Sequence, residues 1–398
     1  MGGKRTTYKG RLRVVIVAWL VLVLYNEFGL FYRSIRKCNI DGTEIIIIAD
    51  PQLVDEHTYN RRGILLRLTK LYTDIYMRRN YFLISRYRSP LHVFLGDLMD
   101  GGREIHDDLK WETEVRRFQS VFPSSHLRMN VVGNHDIGFG NGVILESRKR
   151  FEEYFGSVNQ EVTIGGYSVL SLDTPSISAT DATIANQTAA FLERVSRQDT
   201  RRIIFSHVPL ARPLQHDCGS LRESPHGIHA TSGYQFQSLL SDDVSSKLLR
   251  LKPRIIFSGD DHDYCEYLHY HETSNILEVS VKSFSWAMGV QYPGFQILSL
   301  NPIATRACIL PSQLHILITY AVSLIATIIL LSALAVVRPL RRNSSTWLPD
   351  LDVEGAKEYD KLWKPQPRMR VWSSFWADLG KVTATVLPFY IFLVIWWS

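Results

Sequence analysis

The stretch FSGDDHDYC, Phe257 to Cys265, closes an apolar run with three acidic residues around one histidine. Like charges at Asp260, Asp261 and Asp263 repel one another, so something must offset them. A cation among these side chains is one such thing, and other parts of the chain share the pattern. EIIIIAD (44–50) is a β-branched run ending in Asp50, LHVFLGD (91–97) ends in Asp97, and LRMNVVGNHD (127–136) ends in Asn134, His135 and Asp136. RRIIFSH (201–207) ends in His207, and PRIIFSG (253–259) leads into Asp260 and His262. Short β-branched runs that end at glycine or a polar residue predict strands.

Between these runs lie helical patterns near 60–83, 104–121, 187–198 and 233–250, the first with Ile64, Leu65, Leu68 and Leu71 at helical spacing. YSVLSLDT (167–174) predicts a further strand, and NILEVSV (275–281) and GFQILSL (294–300) predict late antiparallel strands. Strands alternating with helices predict an α/β domain. Ligand sites in such folds gather at the carboxyl ends of the strands. A single Asp at a strand end is usually a turn former or helix cap, and a lone buried histidine is usually a satisfied core residue. Five strand ends carrying D, GDxxD, GNHD, H and GxxH in that order point instead to a metal centre. The set is Asp50, Asp97, Asp100, Asn134, His135, Asp136, His207, Asp260 and His262. Carboxylate, amide and imidazole donors suit Mn, Fe or Zn better than calcium or copper. There are more donors than one ion needs, which predicts two ions about 3.5–4 Å apart.

The chain has 398 residues and a formal net charge of +6. No Lys/Arg block reads as a nucleic-acid patch, so no nucleic-acid partner is expected. Cys38, Cys218, Cys265 and Cys308 form no CxxC pair, which leaves no zinc-finger or thioredoxin motif. A disulfide between Cys218 and Cys265 is open, since sequence alone does not pair cysteines. Residues 12–32, 314–337 and 382–397 predict membrane spans, the first interrupted by Asn26 and Glu27. A cleaved leader is the rival reading of the first, but no A-x-A site follows it. Lys4, Arg5, Lys9, Arg11 and Arg13 sit at the start of the first span, and Arg338, Arg341 and Arg342 follow the second. The positive-inside rule then puts residues 1–11 and 338–381 in the cytosol and 33–313 on the lumenal side. Asn186-Gln187-Thr188 is a glycosylation sequon in that lumenal part, and Asn343-Ser344-Ser345 is one on the cytosolic side.

The ordered blocks resemble the calcineurin-like metallophosphoesterase superfamily, whose pattern is DxH, GDxxD, GNHD, H, GHxH. The match covers about 44–264. Gln52 and Asp260 stand where that pattern has histidine. The resemblance implies an α/β/β/α sandwich, here with N- and C-terminal transmembrane helices. It implies Asp50, Asp97 and His262 at a first ion, with Gln52 doubtful, and Asn134, His207 and Asp260 at a second. Asp97 would bridge. His135 would donate a proton to the leaving group, with Asp136 orienting its ring and Asp100 supporting a ligand or His135.

The wording ADPQL and SGDDHDYCEY and the membrane spans are similar to the membrane-bound branch that removes ethanolamine phosphate from glycosylphosphatidylinositol (GPI) anchors. That likeness implies a GPI glycolipid or GPI-anchored protein as substrate, the endoplasmic reticulum membrane as location and Mn²⁺ as the metal. Rival functions are a lumenal metallophosphatase or nucleotidase, and a non-catalytic GPI-cargo trafficking protein. Outside the ligand set, His57, His216, His226, His229, His269 and His271 read as exposed loop residues, with one or two possible contacts to phosphate. Trp286, Tyr264 and Tyr292 are equally candidates for a glycan platform and for packing.

Overall fold

The structure is a computed structural model and describes residues 2–59, 61–123, 126–271, 274–343 and 368–397. Most of the loop expected at 338–381, and the rest of the sequon that starts at Asn343, lie outside the described residues. The chain divides into two units, Met1–Leu30 with Leu314–Trp396, and Phe31–Gln313 with Trp397–Ser398.

In the second unit the four isoleucines Ile45–Ile48 form β1, buried at every position. In chain order follow β2 (His92–Phe94), β3 (Arg128–Asn130), β4 (Gln160–Ile164), β5 (Tyr167–Leu172) and β6 (Arg202–Ser206). A short ribbon comes next, β7 (Ser232–Gly233) with β8 (Phe236–Gln237). The last strands are β9 (Ile255–Ser258), β10 (Cys265–His271), β11 (Ser274–Ser280), β12 (Gly294–Leu300) and β13 (Ile303–Ile309). Two mixed sheets result, in the orders β13-β12-β1-β2-β3 and β10-β11-β9-β6-β5-β4. Within them β1, β2 and β3 run parallel, as do β5, β6, β9 and β11.

Alternation along each strand assigns its faces. Ile45, Ile47, Val93, Leu95 and Met129 point between the sheets and meet Val169, Ile203, Phe205, Ile255 and Phe257 from the other side. The outer residues Leu170, Leu172, Ile204 and Ile256 pack on Leu192 and Val195 of the helix Ala182–Ser196, and on Val244 and Leu248 of Asp242–Leu249. On the opposite outer face Phe94 packs against Tyr81 and Phe118, from the helices Gly63–Ile84 and Asp108–Val121. The layers are therefore helix, sheet, sheet, helix, the sandwich the motifs implied.

Departures from the sequence reading are local. The pattern at 233–250 yields a helix only over Asp242–Leu249, because Ser241 caps its start through Val244 N and the preceding residues form the ribbon. β4, β10 and β13 have no counterpart in the sequence reading. Each is an edge strand exposed on one side, so its apolar signal is diluted. β12 is antiparallel to both neighbours, whereas β11 is antiparallel to β10 and parallel to β9. Disulfides join Cys38 to Cys308 and Cys218 to Cys265.

Among the described residues, three helices are long and apolar enough to cross a membrane: Gly10–Lys37 (whose last turns pass into the second unit), Gln313–Val336 and Trp372–Trp397. Asn26 and Glu27 fall in a π-helical turn, Tyr25–Gly29, and both are buried. Tyr320 Oη donates to Glu27 Oε1 at 2.7 Å, and Trp19 Nε1 donates to Thr327 Oγ1 at 2.9 Å. The polar residues that break the first apolar run are turned toward protein, which is where ionisable groups in spanning helices belong.

Candidate metal centre

Five of the parallel strands hand the chain to candidate metal-ligating residues at their carboxyl ends. β1 is followed by Asp50, β2 by Asp97 and β3 by Asn134 in the first sheet, and β6 by His207 and β9 by Asp260 and His262 in the second. The backbone turns sharply at these points. Asp50, Gln52, Asp97, Asp260 and His262 all have left-handed φ, of 44°, 39°, 50°, 64° and 65°. Such conformations are costly for residues with a side chain, and they concentrate at functional sites. Glycine supplies the space around them. A Cβ on Gly133 would lie 2.2 Å from Asp97 Oδ1, and one on Gly96 would lie 2.5 Å from His207 Nδ1.

The strand ends converge. Ligand atoms of Asp50, Asp97 and His207 all lie within 4.8 Å of one another, and the three residues are fully or almost fully buried. His207 Nδ1 donates to the Leu95 carbonyl at 2.7 Å. Its Nε2 then turns toward Asn134 Oδ1 at 3.0 Å, Asp97 Oδ1 at 3.2 Å and Asp260 Oδ1 at 3.6 Å. A ring lone pair facing three oxygens is repulsive unless a proton or metal cation lies among them. Asp50 Oδ2 and Gln52 Oε1 are buried without a protein partner. Orphaned buried acceptors beside a carboxylate cluster fit a dication well, because burial without compensation is expensive. Gln52, doubtful on sequence, therefore presents its amide oxygen as a donor would.

The electrostatics carry the same signature. Burial pushes the Asp50 carboxyl well above the usual range, against the pull of His207. Burial also opposes charge on His207, yet Asp97 and Asp260 raise its imidazole well above the ordinary value. His262 is half-buried and lowered chiefly by desolvation, with Asp260, Asp97 and His135 close enough to act on it.

The flanking acids differ from expectation. Asp136 was expected to orient His135, but its oxygens are taken by backbone amides. Oδ2 accepts from Gly133 N at 2.9 Å and Oδ1 from Leu98 N at 3.0 Å. Burial, then the nearby Asp97, raise its carboxyl to about 7. Asp136 thus pins the GNHD turn to the GD turn. His135 instead directs Nδ1 to the Asp100 carbonyl at 2.6 Å, with Asp100 Oδ1 3.5 Å away, and its backbone N donates to Asp97 Oδ1 at 2.9 Å. Asp100 Oδ2 in turn accepts from Thr58 Oγ1 at 2.7 Å. Thr58 carried no sequence signal, being one hydroxyl in a loop.

The other two acids of the Phe257–Cys265 stretch point away from the centre. Asp261 pairs with Arg222. Asp263 pairs with Lys282 at 2.7 Å and accepts from the backbone N of Glu223 and Ser224. Repulsion among Asp260, Asp261 and Asp263 is avoided because each faces a different group. The remaining candidates scatter. His57, His226 and His229 are exposed, and His216 lies 3.3 Å from both sulfurs of the Cys218–Cys265 bond. His269, expected in an exposed loop, is a buried strand residue paired with Glu278 at 2.6 Å. Tyr264 is also buried, which removes it from any glycan platform. Trp286 is half-buried and Tyr292 sits at the surface.

A family model for the calcineurin-like phosphoesterases matches residues 43–264. Cell division control protein 1 of Saccharomyces cerevisiae is 38% identical over 316 residues, covering 73% of this chain and 64% of the yeast protein, so the match spans less than two thirds of that relative. Metallophosphoesterase 1 of Ailuropoda melanoleuca is 30% identical over 339 residues, covering 76% of this chain and 84% of its own length. A Metallophosphoesterase 1 homolog of Caenorhabditis elegans is 25% identical over 339 residues, covering 80% and 90%. Because the matched span takes in every strand end of the centre, this chain belongs to the calcineurin-like phosphoesterases, metal-dependent hydrolases of phosphoesters whose fold implies a pair of divalent cations.

Proposed function

We propose that this chain is a membrane-bound phosphodiesterase that removes ethanolamine phosphate from a mannose of GPI anchors, on the lumenal face of the endoplasmic reticulum. The observation that carries the reading is the buried Asp50–Asp97–His207 cluster in a chain with three helices fit to span a bilayer. The ethanolamine-phosphate assignment rests on the ADPQL and SGDDHDYCEY blocks, while relatives named Metallophosphoesterase 1 support the phosphoesterase chemistry. The two disulfides suit an oxidising compartment, which agrees with a lumenal orientation of residues 33–313.

Asp50, Asp97 and His262 would hold one ion and Asn134, His207 and Asp260 the other, with Asp97 shared between them and the orphaned Gln52 Oε1 a further oxygen for the first. Asp260 gives the second ion a hard anionic oxygen where the family pattern has imidazole, and that favours Mn²⁺ over Zn²⁺. Bound ions supply a nucleophilic water near neutral pH and neutralise the phosphoryl oxygens. The chain's own groups do the rest. His135 gives Nδ1 to Asp100, so Nε2 is the nitrogen left for substrate, and the ring is partly open to solvent. The ring, held through Nδ1, passes the Nε2 proton to the mannose oxygen as the bond to phosphorus breaks. Mannose leaves with its hydroxyl restored, and phosphoethanolamine departs with the added water oxygen.

Mass analysis of GPI glycans from cells lacking this chain tests the substrate. An ethanolamine phosphate retained on one mannose is the expected result. Unaltered glycans, with purified protein turning over nucleotides instead, would replace this reading by that of a lumenal nucleotidase.

A further inference from the structure

The helix Gly63–Ile84 carries an apolar stripe that the fold does not use. Ile64, Leu65, Leu68 and Leu71 are 77%, 57%, 46% and 38% exposed. The spacing of 64, 68 and 71 places three of them in one row, and Leu65 widens it. Over this span the row is about 10 Å long at the rise of an α-helix. Its orientation is fixed, because the opposite side of the helix is built into the unit. Thr69, Thr73, Tyr76 and Met77 are buried, and Leu66 packs against Val54, Ala287 and Met288, while the exposed row ends at Leu71, since Ile75, next on the same face, is buried. A soluble domain rarely leaves so many adjacent leucine and isoleucine side chains in water.

We propose that this stripe lies in the surface of a lipid bilayer. Three observations choose lipid over a protein partner. Arg62 and Arg67 are exposed beside the row, the arrangement of helices that rest among phosphate headgroups with leucines in the acyl boundary. The catalytic unit starts at Phe31, within the helix Gly10–Lys37, and ends at Gln313, where the helix Gln313–Val336 begins, so at both ends it is continuous in sequence with a helix fit to cross a membrane. Farther along the same helix, Phe82 is 38% exposed and packs edge-on against the ring of Trp397, grouped with this unit, at 5.3 Å. Tryptophan is characteristic of the headgroup level.

The segment that leads into the stripe also touches the surroundings of the metal centre. Thr58, six positions before Ile64, donates to Asp100, which holds His135. A helix seated in the headgroup layer is therefore joined, through the loop that carries Thr58, to the support of the reacting histidine. The insertion itself does not depend on which phosphodiester is cleaved.

The test uses the full chain. All four native cysteines are paired, so one introduced cysteine carries a nitroxide label alone. Leu68→Cys, with Leu71→Cys as a second variant, is reconstituted in phosphatidylcholine–phosphatidylserine vesicles. Leu109→Cys, 71% exposed on the helix Asp108–Val121, is the reference. Collision with oxygen, which partitions into lipid, is compared with collision with a water-soluble nickel chelate. Labels at 68 and 71 are expected to show an oxygen-to-nickel ratio several-fold above that at 109. Equal ratios would put the stripe in water and overturn the proposal. Shielding from both reagents would overturn it too, by showing that protein, such as a second copy of this chain, covers the row.

Discussion

His135 and Asp97 are neighbours in the centre, yet they separate chemistry from metal retention. His135→Ala removes a proton donor but no donor atom of the proposed ligand set, so ions measured by mass spectrometry should persist while turnover of a phosphodiester falls by about 10²–10⁴-fold. Asp97→Ala removes the proposed bridge, and both ions are expected to be lost. Full retention of both would contradict the bridging assignment. Gly133→Ala tests the space argument, since its Cβ would sit 2.2 Å from Asp97 Oδ1 and 2.3 Å from Asp97 N. Folded protein with sub-stoichiometric metal is expected, read from metal content and circular dichroism together. At this scale the donor types were legible because each stands at the end of an apolar run. The partner of His135 was not, because Asp100 and Asp136 are both acids near the same turn. Only the backbone path decides that Asp136 meets amides while Asp100 meets the ring.

The strand β2 and the helix Gly63–Ile84 meet through His92. It is buried, its Nδ1 lies 3.1 Å from Tyr81 Oη, and its ring stacks on His126 at 4.4 Å. Burial, then the charges of His126 and Arg128, lower its pKa to about 3. The folded state thus holds His92 neutral, whereas an unfolded imidazole takes a proton near pH 6.5. Protons bound only by the unfolded chain mean that this contribution is complete above about pH 6.5 and is lost as pH falls toward 3. Thermal unfolding midpoints should therefore drop between pH 7 and pH 5, less so in His92→Phe, and an unchanged slope would show that other groups dominate. Central elements were readable from their β-branched runs. The helix Gly63–Ile84 was recognised by spacing, but spacing does not say which way its apolar row faces, and Ile64, Leu65, Leu68 and Leu71 turn outward.

Across the whole molecule, the order of the motifs implied the sandwich, and hydropathy implied the spanning helices. The covalent ties were beyond reach, since four cysteines allow several pairings. Breaking the Cys38–Cys308 bond by Cys38→Ser should lower the stability of the catalytic unit by about 2–5 kcal/mol, seen as a lower melting temperature than that of the parent. A Tm unchanged within error would assign that bond no role in stability. The same bond sets a clock. Its partners stand 270 residues apart. At ribosomal rates of roughly 5–20 residues per second, Cys38 waits some tens of seconds for Cys308, while Cys218 and Cys265 emerge in between as competing thiols. Correct pairing thus requires that Cys38 be kept from both until nearly the whole catalytic unit has been made.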